Sequence, residues 1–112
     1  MKIAFTAKGK DLQAEVDARF GRCPFFVIYD TETKLTEVID NQDSSQEAHG
    51  AGPKTAQKLA EYKCQVLITG NGPGGNASSV VERMKIEIFI GAADMKIENA
   101  LQAYQNGDLK NF

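Results

Sequence analysis

Residues 25–40, FFVIYDTETKLTEVID, decide the expected fold, because two apolar segments stand on either side of a short polar one. FFVIYD is a nearly continuous apolar run, which is typical of a strand buried on both faces of a sheet. TETK predicts a turn and LTEVID predicts a second strand. The stretch therefore predicts a β-hairpin, so the sheet that contains it has an antiparallel pair.

Three further strands are predicted outside the hairpin, at KIAFTA (2–7), CQVLIT (64–69) and IEIFI (86–90). With helices after the third, fourth and fifth strands, the predicted order is β-β-β-α-β-α-β-α. A hairpin followed by βαβ units predicts an α/β fold with a five-stranded mixed sheet and helices on its faces. Right-handed crossovers favour the strand order 3-2-1-4-5, with the second strand antiparallel.

The three helices are predicted from the spacing of their apolar residues. These residues are Ala56, Leu59 and Ala60 in the first helix, Ala77, Val80, Val81 and Met84 in the second, and Ile97, Ala100, Leu101 and Tyr104 in the third. Pro53 suits the first position of the first helix, because a helix needs no amide there. Asp94 can cap the start of the third helix and Gly107 can end it.

In this topology the first, third, fourth and fifth strands end at the same edge of the sheet. The loops that follow them are AKGKD (7–11), NQDSSQEAHGAG (41–52), GNGPGGN (70–76) and GAAD (91–94). Ligands of open α/β sheets bind at this edge. The functional residues are therefore expected in these loops.

Composition excludes several classes of function. The 112 residues suffice for one domain with a hydrophobic core, and a formal net charge of −2 argues against a nucleic-acid binder. No apolar run approaches the roughly 20 residues of a membrane span. The opening MKIAFTAKGKD turns polar too early for a signal peptide, so we expect a cytoplasmic protein with no membrane partner.

Cys23 and Cys64 are expected to be free thiols, with Cys64 in the core. The chain has no CxxC pair for a four-cysteine metal site.

The glycine-rich loop GNGPGGN gives the strongest local signal. Gly70, Gly72 and Gly75 fit G-x-G-x-x-G, but a Rossmann domain needs more βαβ units and an acidic residue, for which only Asp94 is available. The P-loop lysine would stand where this chain has Asn76. The loop still predicts exposed amides at a helix N-terminus, which favour an anion; the alternative is a tight turn without a ligand. The candidate anion-binding residues here are Asn71, Gly72, Gly74, Gly75 and Asn76.

A second candidate of the same kind is HGAG, where His49 directly precedes the glycines Gly50 and Gly52. Imidazole is a common metal ligand, so His49 is a candidate ligand, and the alternative is a solvated loop histidine. Gly50 and Gly52 are candidate binding residues through their amides.

The third candidate is DARFGRCPFF (17–26), in which Arg19 and Arg22 bracket Phe20 and Gly21 and Cys23 follows. A neighbouring guanidinium lowers the pKa of a thiol and favours the thiolate that binds metal. We expect Cys23 and His49 to face one partly exposed cleft outside the core. The alternative is a structural loop in which Phe20 packs inward and the arginines form salt bridges.

Three segments carry a family resemblance: RFGRCPFFVIYD, HGAGPKTAQKLAEYKCQVLITGNGPGGNA and MKIEIFIGA. In this order they resemble the dinitrogenase iron–molybdenum cofactor biosynthesis family, which includes NifX- and NafY-like carriers and the tail domain of NifB. The resemblance covers nearly the whole chain and implies a single domain over residues 1–112 with a ribonuclease H-like fold. It implies binding or delivery of a metal–sulfur cluster, and no turnover of a substrate.

One position departs from the nitrogenase cofactor carriers, which have a histidine before Phe-Gly where this chain has Arg19. The departure argues against service to nitrogenase and favours the family's stand-alone mixed-metal sulfide carriers. The ligand that the resemblance implies is therefore missing, and Cys23 and His49 are the residues that could supply metal ligation instead. Arg19, Arg22 and the amides would complement an anionic cluster of iron, molybdenum or copper, exchanged with a donor or acceptor protein. Two alternatives remain open: a small nucleotide- or phosphate-binding enzyme using GNGPGGN, and an interaction module that has lost the cluster.

Overall fold

The computed structural model describes residues 1–42, 51–72, 81 and 83–112. The described residues form one six-stranded sheet with the order β3-β2-β1-β4-β5-β6. Its strands are β1 (Lys2–Ala7), β2 (Phe25–Asp30), β3 (Thr36–Asp40), β4 (Val66–Ile68), β5 (Glu87–Ile90) and β6 (Lys110–Asn111). Strand β2 is antiparallel to β1 and β3, and β1 is parallel to β4 and β4 to β5. The predicted α/β class, mixed sheet, order of the first five strands and antiparallel second strand are confirmed.

The sixth strand was not predicted from the sequence. It consists of Lys110 and Asn111, which pair antiparallel with Ile90 and Phe89 of β5. Both residues of β6 are exposed, so the segment has no apolar alternation that would identify a strand. Its position depends on backbone pairing with β5, which the sequence pattern does not show.

The hydrophobic core has two parts, one on each face of the sheet, because successive strand residues point to opposite sides. On the first face α1 (Ala51–Glu61) packs, with Ala56 and Leu59 fully buried. The sheet residues on that face include Ala4, Phe26, Ile28, Leu67 and Ile88. On the second face α2 (Ile97–Gln105) packs. The sheet residues on that face include Ile3, Phe5, Val27, Val66 and Ile68.

The helix on the first face differs in part from its prediction. Ala51 and Gly52 are already helical, so Pro53 does not occupy the predicted first position of the helix, and Ala60, predicted in the apolar stripe, is exposed. Of the second predicted helix, Val81 is helical and buried, and Met84 packs against the same core. Ala77 and Val80 lie outside the described residues.

The predicted cap of α2 at Asp94 is wrong. The residue at the cap position is Lys96, which makes no side-chain capping bond, and Asp94 has a φ of +65° and bonds to Lys8. A cap is not needed because the first amides of the helix donate to loop carbonyls, Ile97 to Ala14 (2.9 Å) and Glu98 to Leu12 (3.0 Å).

The predicted end of α2 at Gly107 is confirmed. The amide of Gly107 donates to the carbonyl of Tyr104 (3.1 Å), and that of Asp108 to Ala103 (2.8 Å). Gly107 has a φ of +78°, so this is a Schellman motif in which glycine adopts the left-handed conformation. No helix within the described part of the chain is long and apolar enough to cross a membrane.

Candidate ligand site at the carboxyl edge of the sheet

The carboxyl ends of β1, β4 and β5 meet at one edge of the sheet, where β2 begins. The amide of Asn71 donates to the carbonyl of Ala18 (3.0 Å), and the amide of Gly91 donates to the carbonyl of Gly70 (3.0 Å). These bonds join the segment before β2, the loop after β4 and the loop after β5. The backbone contacts bring the segment before β2 to the start of the glycine-rich loop. Residues 43–50, with His49, lie outside the described residues, so their part in the predicted convergence stays a prediction.

Gly70 allows the loop after β4 to lie directly against the segment before β2 and the loop after β5. A Cβ atom at Gly70 would lie 2.5 Å from the Cα of Ala18 and 2.9 Å from the Cβ of Ala93. Backbone can approach at this distance only where the side chain is absent. The first glycine of GNGPGGN is therefore explained by loop packing.

A buried pair of threonines, Thr6 and Thr69, connects the ends of β1 and β4 at this edge, and no sequence motif predicts it. The Oγ1 of Thr6 lies 2.6 Å from the carbonyl oxygen of Asp17 and 2.8 Å from the Oγ1 of Thr69. Because a carbonyl only accepts, Thr6 donates to Asp17 and accepts from Thr69. Each threonine follows apolar residues near the end of a strand. There a hydroxyl can form hydrogen bonds with backbone groups that have left the sheet.

Arg19 stands at this edge as an exposed cation held by a buried carboxylate. Its Nε and Nη2 atoms each donate to Asp17, at 3.0 Å and 3.0 Å, and its amide donates to the same side chain at 2.8 Å. The Arg19 side chain is 60% exposed, whereas that of Asp17 is 4% exposed. A bidentate pair of this kind fixes the plane of the guanidinium. Asp17 is not identifiable as a site residue from the sequence, because nothing in the sequence shows that an acid two residues before Arg19 is buried.

The Asp17–Arg19 pair stays ionised over a wide pH range. Burial acts to raise the pKa of Asp17, but the bonds from Arg19 outweigh it and hold that pKa below its usual value. The hydrogen bond to Asp17 in turn raises the pKa of Arg19. Since the lowered pKa belongs to a carboxyl, the pair stabilises the fold above the ordinary carboxyl pKa, and this stabilisation is lost as pH falls through the lowered value.

Two lysines contribute further positive charge near this edge. The Nζ of Lys8 lies 2.8 Å from the carboxylate of Asp94 and 3.6 Å from that of Glu15, so most of its charge is offset locally. The Nζ of Lys10 lies 5.2 Å from the ring centroid of Phe25. Neither lysine was singled out in the sequence.

The predicted environment of Cys23 is wrong. Cys23 has no exposed surface and belongs to the core on the first face, and its thiol donates to the carbonyl of Phe20 (3.1 Å). Burial raises the pKa of Cys23 to about 12, although the charge of Arg19 acts to lower it. The expected effect of a neighbouring guanidinium is present, but desolvation of the thiolate is larger. Cys64 is buried as predicted, and both thiols are free.

Asn41 fixes the loop that contains Cys23. It is fully buried, and its Nδ2 donates to the carbonyls of Cys23 (2.9 Å) and Gly21 (3.3 Å). Its Oδ1 accepts from the Nζ of Lys58 (3.3 Å) on α1. Asn41 therefore connects the end of β3, the loop before β2 and α1.

Replacing Asn41 by alanine is expected to lower the free energy of unfolding by about 2 kcal/mol, because the buried carbonyl of Cys23 and the partly buried carbonyl of Gly21 lose their donor. Urea denaturation followed by circular dichroism measures the change. Gln65→Ala, which removes an exposed side chain before β4, serves as the control and is expected to change stability by less than about 0.5 kcal/mol. Equal stabilities of the two variants would show that Asn41 does not support this loop.

The remaining predicted site residues fall into two groups. Five of them lie outside the described residues: His49, Gly50, Gly74, Gly75 and Asn76. The shared cleft of His49 and Cys23 therefore stays a prediction, although the expected exposure of Cys23 is wrong. Of the others, Arg22 and Asn71 are exposed, Gly72 has a φ of +87°, and Gly52 lies in α1. Within residues 1–42, 51–72, 81 and 83–112, no three His, Cys, Asp or Glu side chains are grouped as a metal site.

Comparison with known proteins matches residues 1–107 to the model of the family described as dinitrogenase iron-molybdenum cofactor. Among solved structures, the apo form of the orange protein from Desulfovibrio gigas is 34% identical, with a TM-score of 0.94 over 99% of this chain and 92% of that one. A NifB-like protein from Thermotoga, placed in the DUF35 family, is 33% identical, with a TM-score of 0.85 over 98% of this chain and 91% of that one. The comparison with curated proteins gave no match.

Proposed function

The chain belongs to the dinitrogenase iron-molybdenum cofactor family, and from this membership we propose that it binds an anionic metal–sulfur cluster and carries it between a donor and an acceptor protein. The proposed role is non-catalytic. The cluster is the cargo of the protein, and iron–sulfur, iron–molybdenum and molybdenum–copper types are the candidates.

The observation that carries this proposal is the orientation of Arg19 beside the loop after β4. Two of the five guanidinium N–H groups bond to Asp17, which leaves three, and no other described residue accepts a bond from them. Ala18, the preceding residue, bonds to the amide of Asn71. An exposed, fixed cation therefore lies next to a glycine-rich loop, and this arrangement suits an anion better than a neutral ligand.

The burial of Cys23 favours a particular mode of binding. A metal–thiolate bond needs an accessible, deprotonated sulfur, whereas Cys23 has no exposed surface and a pKa of about 12. Ligation by Cys23 would require the loop before β2 to open. We therefore assign the main attraction to charge and hydrogen bonds from Arg19, Arg22 and loop amides, with His49 as the proposed metal-ligating residue.

The test is anaerobic reconstitution with sulfide and iron, molybdate or copper, followed by metal and sulfide analysis of the desalted protein. Uptake of a cluster in a fixed ratio to the chain is the expected result. Tight binding of a nucleotide, with no cluster retained from any of these mixtures, would contradict the proposal and favour the nucleotide-binding alternative.

Arg19→Ala is expected to weaken cluster binding about tenfold, because it removes a charge-assisted hydrogen-bonding group from the site. Titration of apoprotein with tetrathiomolybdate, followed by absorbance, measures the dissociation constant. Arg83→Ala, an exposed site before β5 at the opposite edge of the sheet, removes the same charge and is the matched control.

The Arg19→Lys variant separates charge from geometry. Lysine keeps the charge but cannot form the bidentate pair with Asp17. The affinity of Arg19→Lys for tetrathiomolybdate is therefore expected to lie between that of wild type and that of Arg19→Ala. Equal weakening by Arg19→Ala and Arg83→Ala would show that net charge alone attracts the anion and that Arg19 has no specific role.

A further inference from the structure

Phe112, which follows β6, contacts the glycine-rich loop. Its amide donates to the carbonyl of Ile88 (2.8 Å), which extends the pairing of β6 with β5 by one residue. A Cβ atom at Gly72 would lie 2.5 Å from the Cε1 and 2.6 Å from the Cδ1 of Phe112. The ring therefore lies directly against the Cα of Gly72, while Phe112 remains 51% exposed.

This contact completes a series of three attachments along the loop after β4. Gly70 accepts a bond from the amide of Gly91, and Asn71 donates to Ala18. Gly72, the next residue, has a φ of +87° and lies under the Phe112 ring. Each of three consecutive residues is thus held by a different segment of the chain.

The physical effect of the ring follows from the properties of glycine. Glycine has the largest conformational freedom of any residue, so a glycine loop loses much entropy when it is ordered around a ligand. A ring packed against Gly72 restricts that freedom before a ligand arrives. A site that is ordered in advance binds more tightly than one that must be ordered on binding.

We propose that Phe112 is a positioning residue that holds the loop at Gly72 in its binding conformation. The inference rests on the proposed function, because it assumes that amides of this loop contact the anionic cargo. Phe112 acts through Gly72 and is not itself assigned a contact with the cluster. The two residues are 40 positions apart in sequence (112 minus 72), and only the position of β6 brings them together.

The experiment compares Phe112→Ala, Phe112→Leu and Leu35→Ala with wild type. Leu35, 69% exposed in the connection between β2 and β3, is a matched control for loss of an exposed apolar side chain. The first readout is hydrogen exchange of the Asn71 amide in ligand-free protein, measured by nuclear magnetic resonance. The second is the dissociation constant for tetrathiomolybdate.

For Phe112→Ala we expect about fivefold faster exchange at Asn71 and about fivefold weaker binding, which corresponds to loss of a half-buried aromatic contact. Phe112→Leu should keep both the exchange rate at Asn71 and the dissociation constant close to those of wild type. Leu35→Ala should match wild type in both. Exchange and affinity of Phe112→Ala that equal those of Leu35→Ala would overturn the proposal. If wild type binds no metal sulfide, the proposed function fails, and the exchange rates alone still decide whether Phe112 holds the loop.

Discussion

Cys23 in the folded protein is expected to react with iodoacetamide at pH 8 about a thousand times more slowly than in the unfolded chain, because only the thiolate reacts. Its pKa is raised by burial from 9.0 to about 12, so the folded protein holds almost no thiolate at that pH. Full burial adds a steric barrier to the reagent. Timed alkylation followed by peptide mass spectrometry measures the rate at each cysteine.

The same protein in guanidinium chloride is the control, and Cys64 is an internal comparison because burial also raises its pKa to about 12. Rapid alkylation of Cys23 in the folded protein would contradict its burial and restore it as a ligand candidate. The raised pKa also sets a pH dependence. The protonated thiol stabilises the fold below pH 9, and this stabilisation is lost as pH rises from about 9 towards 12.

Gly70→Ala is expected to lower the free energy of unfolding by about 3 kcal/mol, the upper end of the range for forcing extra atoms into packed structure. The added methyl group would meet the Cα of Ala18 at 2.5 Å, and backbone atoms cannot rotate away as a flexible side chain can. The segment before β2 would have to move, and the bond between Asn71 and Ala18 would be strained. Chemical denaturation measures the loss of stability.

Gly91→Ala separates steric contact from backbone strain. Gly91 has a φ of +93°, but a Cβ atom there meets no atom within 4 Å. Its substitution is therefore expected to cost about 1 kcal/mol, from the left-handed conformation alone. If Gly70→Ala proves no more destabilising than Gly91→Ala, the close approach of the two loops is not what requires Gly70.

The sheet was largely predictable because its central strands carry long apolar runs whose direction follows from the connections between them. β1 and most of β2 are buried on both faces, and the turn within residues 25–40 makes β2 and β3 an antiparallel pair in the same sheet. β6 was not predictable, because Lys110 and Asn111 pair through backbone atoms that every residue possesses. Composition cannot identify a strand of two exposed residues.

The candidate site was predictable by location and less so by side chain. The topology placed the Arg19 segment and the loop at Gly70 on one edge, and the backbone bonds between them agree. The direction of the Cys23 side chain could not be read from its polar neighbours, since it depends on the turn of the loop that Asn41 fixes. The contact of Phe112 with Gly72 joins residues 40 positions apart (112 minus 72), which no local pattern indicates.

The pairing of Arg19 with Asp17 keeps the positive charge of this one residue constant near neutral pH. A histidine before Phe-Gly would gain and lose its charge near neutral pH, so its attraction for an anion would follow the acidity of the surroundings. Arg19, with its pKa raised further by Asp17, keeps its charge wherever the chain is folded. The attraction of Arg19 for the proposed anionic cargo is therefore expected to stay constant near neutral pH, so a pH-dependent release would have to arise at another residue.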